Sequence, residues 1–131
     1  MVIKHSGQRV GILIDVQNLY HSAKTLYRGK VDYNHLYQTI ANERTVVRAI
    51  AYAIQVGEHS TQSFYAALRK IGFTVKSKDL LKRADGSAKG DWDMGMAIDA
   101  IGIFSRVDTV VLATGDGDFA NLIRGIMLLA S

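Results

Sequence analysis

Acidic side chains gather at three separated places in this 131-residue sequence, each at the edge of an apolar run. The first is Asp15-Val16-Gln17-Asn18, where Asp15 ends the run Val10 to Ile14 and Asn18 follows three residues later. The second is Lys89-Gly90-Asp91-Trp92-Asp93, which opens a long apolar segment. The third is Thr114-Gly115-Asp116-Gly117-Asp118-Phe119, directly after Thr109 to Ala113. Carboxylates and amides are hard oxygen donors, suited to Mg²⁺ or Mn²⁺ rather than zinc. Crowded together without a cation they repel and hold a proton, so a charged cluster of this kind calls for a metal. Each place also has a purely structural reading: Asp and Asn cap helices, and acidic residues favour a helix start through its dipole. The third is hardest to read that way, because a turn needs only one of its two aspartates.

Asp15, one of the pair Asp91 and Asp93, and Asp116 with Asp118 are the candidate oxygen ligands of such an ion. Asn18 and Thr114 are placed to position a phosphate or a water, and Lys89 to meet a phosphate. The other aspartate of the 91/93 pair reads as a cap of the helix that follows, and the resemblance described below makes that supporting residue Asp91. Asp99 lies six residues after Asp93, which sets the two roughly 120° apart around a helix, so they do not easily share an ion. It reads as a supporting carboxylate, or as a hydrogen-bond partner of nearby backbone or of a basic residue. The four histidines, His5, His21, His35 and His59, show no paired metal spacing.

The composition sets the limits. With no cysteine there are no disulfides or thiolate metal sites. Apolar residues make up 48%, enough for a folded core in a single domain of residues 1–131. The N-terminal apolar run is too short for a membrane span or a signal core, so the chain reads as soluble and cytoplasmic. The formal charge is +4, and the basic residues concentrate in Arg69, Lys70, Lys76, Lys78, Lys82, Arg83 and Lys89. A basic stretch around an acidic point suits phosphodiester chemistry, the first gripping the backbone and the second holding metal. The same stretch can also be a solvated face.

Hydrophobic periodicity supplies the frame. Arg9 to Val16 reads as a buried strand and Gln17 to Leu26 as a helix. Asp32 reads as the cap of a helix near Tyr33 to Asn42 with Leu36, Tyr37 and Ile40 on one side. Thr45 to Gln55 reads as the second strand. Ser60 reads as the cap of a helix over Thr61 to Ile71, which Gly72 closes. Phe73 to Ser77 reads as the third strand, followed by a basic connection with a turn at Ala84-Asp85-Gly86-Ser87 and a short extra strand through Leu80 and Leu81. Asp91 to Phe104 is apolar nearly all round, which predicts a helix buried between layers. Thr109 to Ala113 is the fourth strand and Asp118 to Leu129 the last helix. Strands alternating with helices predict an α/β fold with a parallel sheet, whose ligands bind beyond the carboxyl ends of the strands.

Three stretches, GILIDVQNLY, KGDWDMGMAIDA and VVLATGDGDF, together resemble the NYN domain family, especially its LabA-like branch, in order and in spacing. The family's usual S-G-D-S-D-F segment has Thr114 and Gly117 at its serine positions here, the first keeping a hydroxyl and the second losing it. The resemblance implies a three-layer PIN-like fold with strand order 3-2-1-4 and an acidic site on Asp15, Asp93, Asp116 and Asp118. It also implies a fifth strand, for which the sequence after the last helix has no counterpart. That predicts a truncated domain or a sheet completed by a partner, and the apolar Ile126-Met127-Leu128-Leu129 favours a homodimer or higher oligomer. The expected activity is metal-dependent hydrolysis of RNA phosphodiesters, with Lys82, Arg83 and their basic neighbours gripping single-stranded RNA. Two alternatives stand beside it: a non-catalytic RNA-binding or regulatory module, and a phosphatase using Asp15 as nucleophile.

Overall fold

A computed structural model describes residues 7–55, 60–79, 81–82, 88–89 and 92–113. Strand β1 (Arg9–Asp15) is central, and its residues are buried from Val10 to Asp15, as expected for an apolar strand covered on both faces. Helix α1 (Val16–Tyr27) starts at once, and Arg28 ends it in the left-handed conformation, its N–H bonded to the Ala23 carbonyl. Helix α2 (Tyr33–Ala41) is capped by Asp32, whose carboxylate accepts the His35 backbone N–H at 2.9 Å. Strand β2 (Thr45–Gln55) is followed by helix α3 (Ser60–Ile71) and strand β3 (Thr74–Asp79). At Gly72 the chain takes φ 137° against the Tyr37 ring, which an added Cβ would approach to 3.0 Å.

The basic connection forms a two-stranded antiparallel ladder between β4 (Leu81–Lys82) and β5 (Ala88–Lys89). The extra strand expected near Leu81 is thus one arm of a pair. Helix α4 (Asp93–Ile103) runs into a 3-10 turn over Phe104–Arg106, and strand β6 (Thr109–Ala113) follows. The main sheet has the order β3-β2-β1-β6 with every pairing parallel, the order 3-2-1-4 of the four long strands. The last expected helix, Asp118 to Leu129, lies outside the described residues.

The sheet separates two cores. On one face Val10, Ile12, Ile14, Ala49, Ala51 and Ala53 pack under α1, α2 and α3, with Leu19, Leu36, Tyr65 and Leu68 among the covering side chains. On the other face Leu13, Ile50 and Tyr52 pack under Met96, Ala97, Ala100 and Ile103 of α4. The result is a three-layer α/β/α fold. Side chains such as Ile12 and Leu13, fully withdrawn from water, each contribute about 1.5–3 kcal/mol.

The expectation that α4 is buried all round needs correction. Met94, Ile98 and Ile101 are exposed, at 69%, 60% and 42%. Positions 94, 98 and 101 share one helix face, and among the described residues only the opposite face meets the sheet. The composition of α4 therefore reports more than the demand of its inner face.

Polar contacts fix α4 along its length. At its start the Trp92 indole N–H donates to the Ala53 carbonyl of β2 at 2.8 Å. In the middle Asp99 accepts hydrogen bonds from the Tyr52 hydroxyl and the Lys76 ammonium, both at 2.8 Å. At its end Ile103 lies so close to β1 that a Cβ on Gly11 would be 2.6 Å from it, which accounts for glycine in a buried strand. Burial works against the Asp99 charge, yet the bonds from Lys76 and Tyr52 and the field of Arg48 hold its carboxyl below the ordinary value. Burial, then the bond to Asp99, pushes the Tyr52 phenol well up, so it stays a donor. At the opposite end of the sheet Arg9 and Asp108 exchange backbone and side-chain hydrogen bonds, which close β6 onto β1.

Asp99→Ala should destabilise the fold by about 1–3 kcal/mol, because it strands the buried Tyr52 hydroxyl. Lys76→Ala, at a side chain about a third exposed, should cost less than about 1 kcal/mol; urea denaturation compares the two. The Asp108 carboxyl is held below its ordinary value of 3.8, first by its side-chain hydrogen bond from Arg9. Its stabilising effect is complete above that value and is lost as pH falls through the lower folded value. The difference in thermal stability between wild type and Asp108→Asn should therefore be present at neutral pH, shrink in acid, and shrink with added salt.

Candidate metal and phosphodiester site

Asp15 is the last residue of β1 and the N-cap of α1, with extended φ −93° and ψ 102°. One carboxylate oxygen accepts the Asn18 backbone N–H at 3.1 Å, and the other accepts the Asn18 side-chain amide at 2.8 Å. Only 5% of the residue is exposed. A carboxylate this buried needs strong compensation, and the start of α1 provides it through the helix dipole and the two amide donors. The capping and functional readings of the first motif are therefore not exclusive. An ionised carboxylate has about four lone-pair positions, so the two bonds from Asn18 do not exhaust its capacity to accept.

The register fixes what surrounds Asp15. It pairs with Tyr52 of β2, and the residue before it, Ile14, pairs with Ala113, the last residue of β6. The chain thus leaves β6 at the level of Asp15, about 100 residues away in sequence. Ala53, the anchor of the Trp92 indole, is the residue after Tyr52, so α4 begins at the same end of the sheet. Asp93 is the first residue of α4. Its side chain lies outside the described residues, as do Asp91, Thr114, Asp116, Asp118 and Arg83. Lys82 and Lys89 face each other's strands in the small antiparallel ladder, but their side chains also lie outside the described residues.

Among the described residues no three His, Cys, Asp or Glu side chains stand close enough to hold an ion. Asp15 is the part of the expected ligand set that is described in full, and its chemistry, an ionisable oxygen donor fixed at a strand end, fits a hard divalent cation. Asp99 is committed to Tyr52 and Lys76, tying α4 to the sheet. Lys76 is thereby occupied as well, so the basic stretch is not uniformly turned to a ligand. Lys78, two residues on, sits with its ammonium 4.6 Å from the centre of the Trp92 ring.

Tyr33 belongs to this end of the molecule and was not legible as such from sequence. It is the first residue of α2, and its ring stands edge-on to Phe64 at 5.5 Å. Burial, with the negative field of Asp15 second, pushes its phenol up to about 12. It is a neutral hydrogen-bond donor at physiological pH. The Asp32 cap located the start of α2, but no spacing in the sequence tied that start to the end of β1.

A protein of unknown function from Vibrio parahaemolyticus has a similar crystal structure, with a TM-score of 0.85 and 42% sequence identity over 97% of this chain and 78% of that one. No curated protein matches the sequence. No described helix is long and apolar enough to cross a membrane. The family model described as NYN domain matches residues 9–127, which takes in β1, α4, β6 and all three acidic motifs. With that match over nearly the whole sequence, on a parallel sheet of order 3-2-1-4, the chain belongs to the NYN domain family, a family of PIN-like nucleases.

Proposed function

We propose that this protein is a metal-dependent ribonuclease that hydrolyses RNA phosphodiester bonds at an acidic site formed by Asp15, Asp93, Asp116 and Asp118. The observation that carries the reading is the meeting of three backbone segments at one end of the sheet: the end of β1, the exit from β6 and the start of α4. Each of these segments bears one of the three acidic motifs. Membership of a PIN-like nuclease family supports the same reaction class.

Asp15 would hold Mg²⁺ or Mn²⁺ together with Asp93 and Asp116, with Asp118 on the ion or behind it. The cation, when bound, supplies the positive charge that stabilises the charge building on the phosphoryl oxygens and favours ionisation of the attacking water. The protein's own groups do the positioning. Asn18 holds the Asp15 carboxylate in one orientation through two hydrogen bonds. Thr114 and Lys89 contact phosphate oxygens, and the neutral Tyr33 phenol supplies a further donor near Asp15. Lys82 and Arg83 retain the strand through its phosphates. In this reading Asp91 plays a supporting part beside the ligands, and Asp99 acts at a distance by holding α4 in place. The protein is cytoplasmic, falls in the LabA-like branch, and acts as a homodimer or higher oligomer.

Asp15→Asn separates the two roles of this residue, because Asn is as good an N-cap as Asp but carries no charge. Purified Asp15→Asn should unfold near the wild-type midpoint and yet cleave labelled single-stranded RNA at least about a hundredfold more slowly with Mn²⁺. Asp116→Asn should behave alike. Chelation should abolish wild-type cleavage and Mn²⁺ restore it. Binding of RNA by the wild type with no turnover in Mn²⁺ or Mg²⁺ would instead identify a non-catalytic binding module.

A further inference from the structure

We propose that the outer face of α1 forms a subsite for the nucleotide of single-stranded RNA next to the bond being cut, the Tyr20 ring stacking on its base and Lys24 pairing with its phosphate. The proposal rests on the nuclease reading, since it names how that substrate is held beside Asp15.

Helix α1 starts directly after Asp15, and at about 100° per residue its side chains fall into two arcs. Val16 and Leu19 share the inner arc, where Val16 is buried and Leu19 packs against the core. The outer arc runs, in order around the helix, from Asn18 through His21, Gln17 and Lys24 to Tyr20. Asn18 is the residue that holds the Asp15 carboxylate, so this arc leads directly away from the acidic site. Helical side chains lean toward the N-terminus, so those of Tyr20 and His21 lean toward Asp15. Asp15 and Tyr20 are about 7.5 Å apart along the axis, a distance that the nucleotide beside the scissile phosphate can span.

The side chains on the arc match the parts of a nucleotide. Tyr20 is 52% exposed, an aromatic ring in water on a helix that has apolar cover available on its other side. Its position is nevertheless set. The His21 ring stands edge-on to it at 5.6 Å, and His21 in turn meets the Gln17 side chain, with the two Nε2 atoms 3.5 Å apart. A ring held in this way loses little freedom when a base stacks on it. The Lys24 ammonium lies 5.9 Å from the Tyr20 ring centre. That is the outer limit of a cation–π contact, so the ammonium gives up little in turning to a phosphate beside the stacked base.

The charge along this segment has one sign. From Val16 to Val31 the sequence holds no Asp or Glu, and the exposed Arg28 and Lys30 follow Lys24. A helix face that serves only solubility mixes both signs in pairs four residues apart. This face carries cations and an aromatic ring, the combination that tracks a single strand. Paired bases in a duplex do not present their faces, so the subsite selects single strands.

The probe is a short single-stranded RNA with a terminal dye and 5-bromouridine in place of uridine, titrated into metal-free protein so that cleavage does not intervene. Dye anisotropy should rise, and unlabelled duplex RNA should compete poorly. Ultraviolet irradiation of the complex should attach the RNA to Tyr20, which mass spectrometry of the digest locates. Tyr20→Ala should weaken binding about tenfold, and Tyr20→Phe, which keeps the aromatic face, should bind within about twofold of wild type. Lys24→Gln should weaken binding and lower its salt dependence by about one phosphate contact. Tyr20 and Lys24 are both exposed, so these variants should unfold near the wild-type midpoint. Crosslinks that map only to other residues overturn the subsite, as do equal affinities of wild type and Tyr20→Ala, or the absence of any binding. Cleavage with Mn²⁺ is measured separately. Binding through Tyr20 without cleavage sinks the nuclease reading and leaves the subsite standing; cleavage by a protein whose RNA affinity ignores Tyr20 does the reverse.

Discussion

A carboxylate withdrawn from water at the end of the central strand has to be compensated, and the whole arrangement turns on how Asp15 is compensated. The helix that follows it does so. The Asn18 backbone and side chain both donate to Asp15, and the dipole of α1 points its positive end at the same group. The chain can therefore pass from a fully buried strand into a helix without a loop, and the acidic group stays where the strand leaves it. A parallel sheet then brings other strand ends to that place. Because β1 has β2 on one side and β6 on the other, β6 ends beside the end of β1, with Ala113 paired to Ile14.

Helix α4 is the second element on which the site depends, and its anchors are mostly polar. The inner apolar face of α4 decides that it lies on the sheet, but small residues such as Ala97 and Ala100 set its depth rather than its position along the strands. That position comes from directional bonds: the Trp92 indole to Ala53, and Asp99 to Tyr52 and Lys76. Lys76 and Tyr52 are paired across β3 and β2, so a single carboxylate on α4 grips two strands at one level. Asp93, at the head of this helix, inherits its placement from contacts that lie outside the acidic site.

Much of this was legible in the sequence. β2 and β6 follow from apolar runs whose ends are marked by polar or glycine residues, and the 3-2-1-4 order followed from the family resemblance. Asp32 marked α2 because a capping aspartate before an amphipathic run has one physical meaning. The outer face of α4 misled, since Met94, Ile98 and Ile101 look like core residues, and periodicity cannot see that among the described residues only the inner face meets the sheet. Asp99 stood out as a carboxylate in an apolar helix. Its partners come from strands 23 and 47 residues earlier, and no local pattern names them. Tyr33 and the Trp92–Lys78 pair were invisible for the same reason: each depends on two elements meeting, not on the spacing within one.

Manganese is the most direct probe of the central claim, because its anomalous scattering locates it without assumptions about ligands. Crystals soaked in Mn²⁺ should show a peak at the carboxyl end of β1, with an Asp15 oxygen at about 2.1 Å and with Asp93 and Asp116 reaching the same ion or its close neighbour. A strong peak elsewhere, or crystals in which Asp93 and Asp116 point away from Asp15 and no ion binds there, would contradict it.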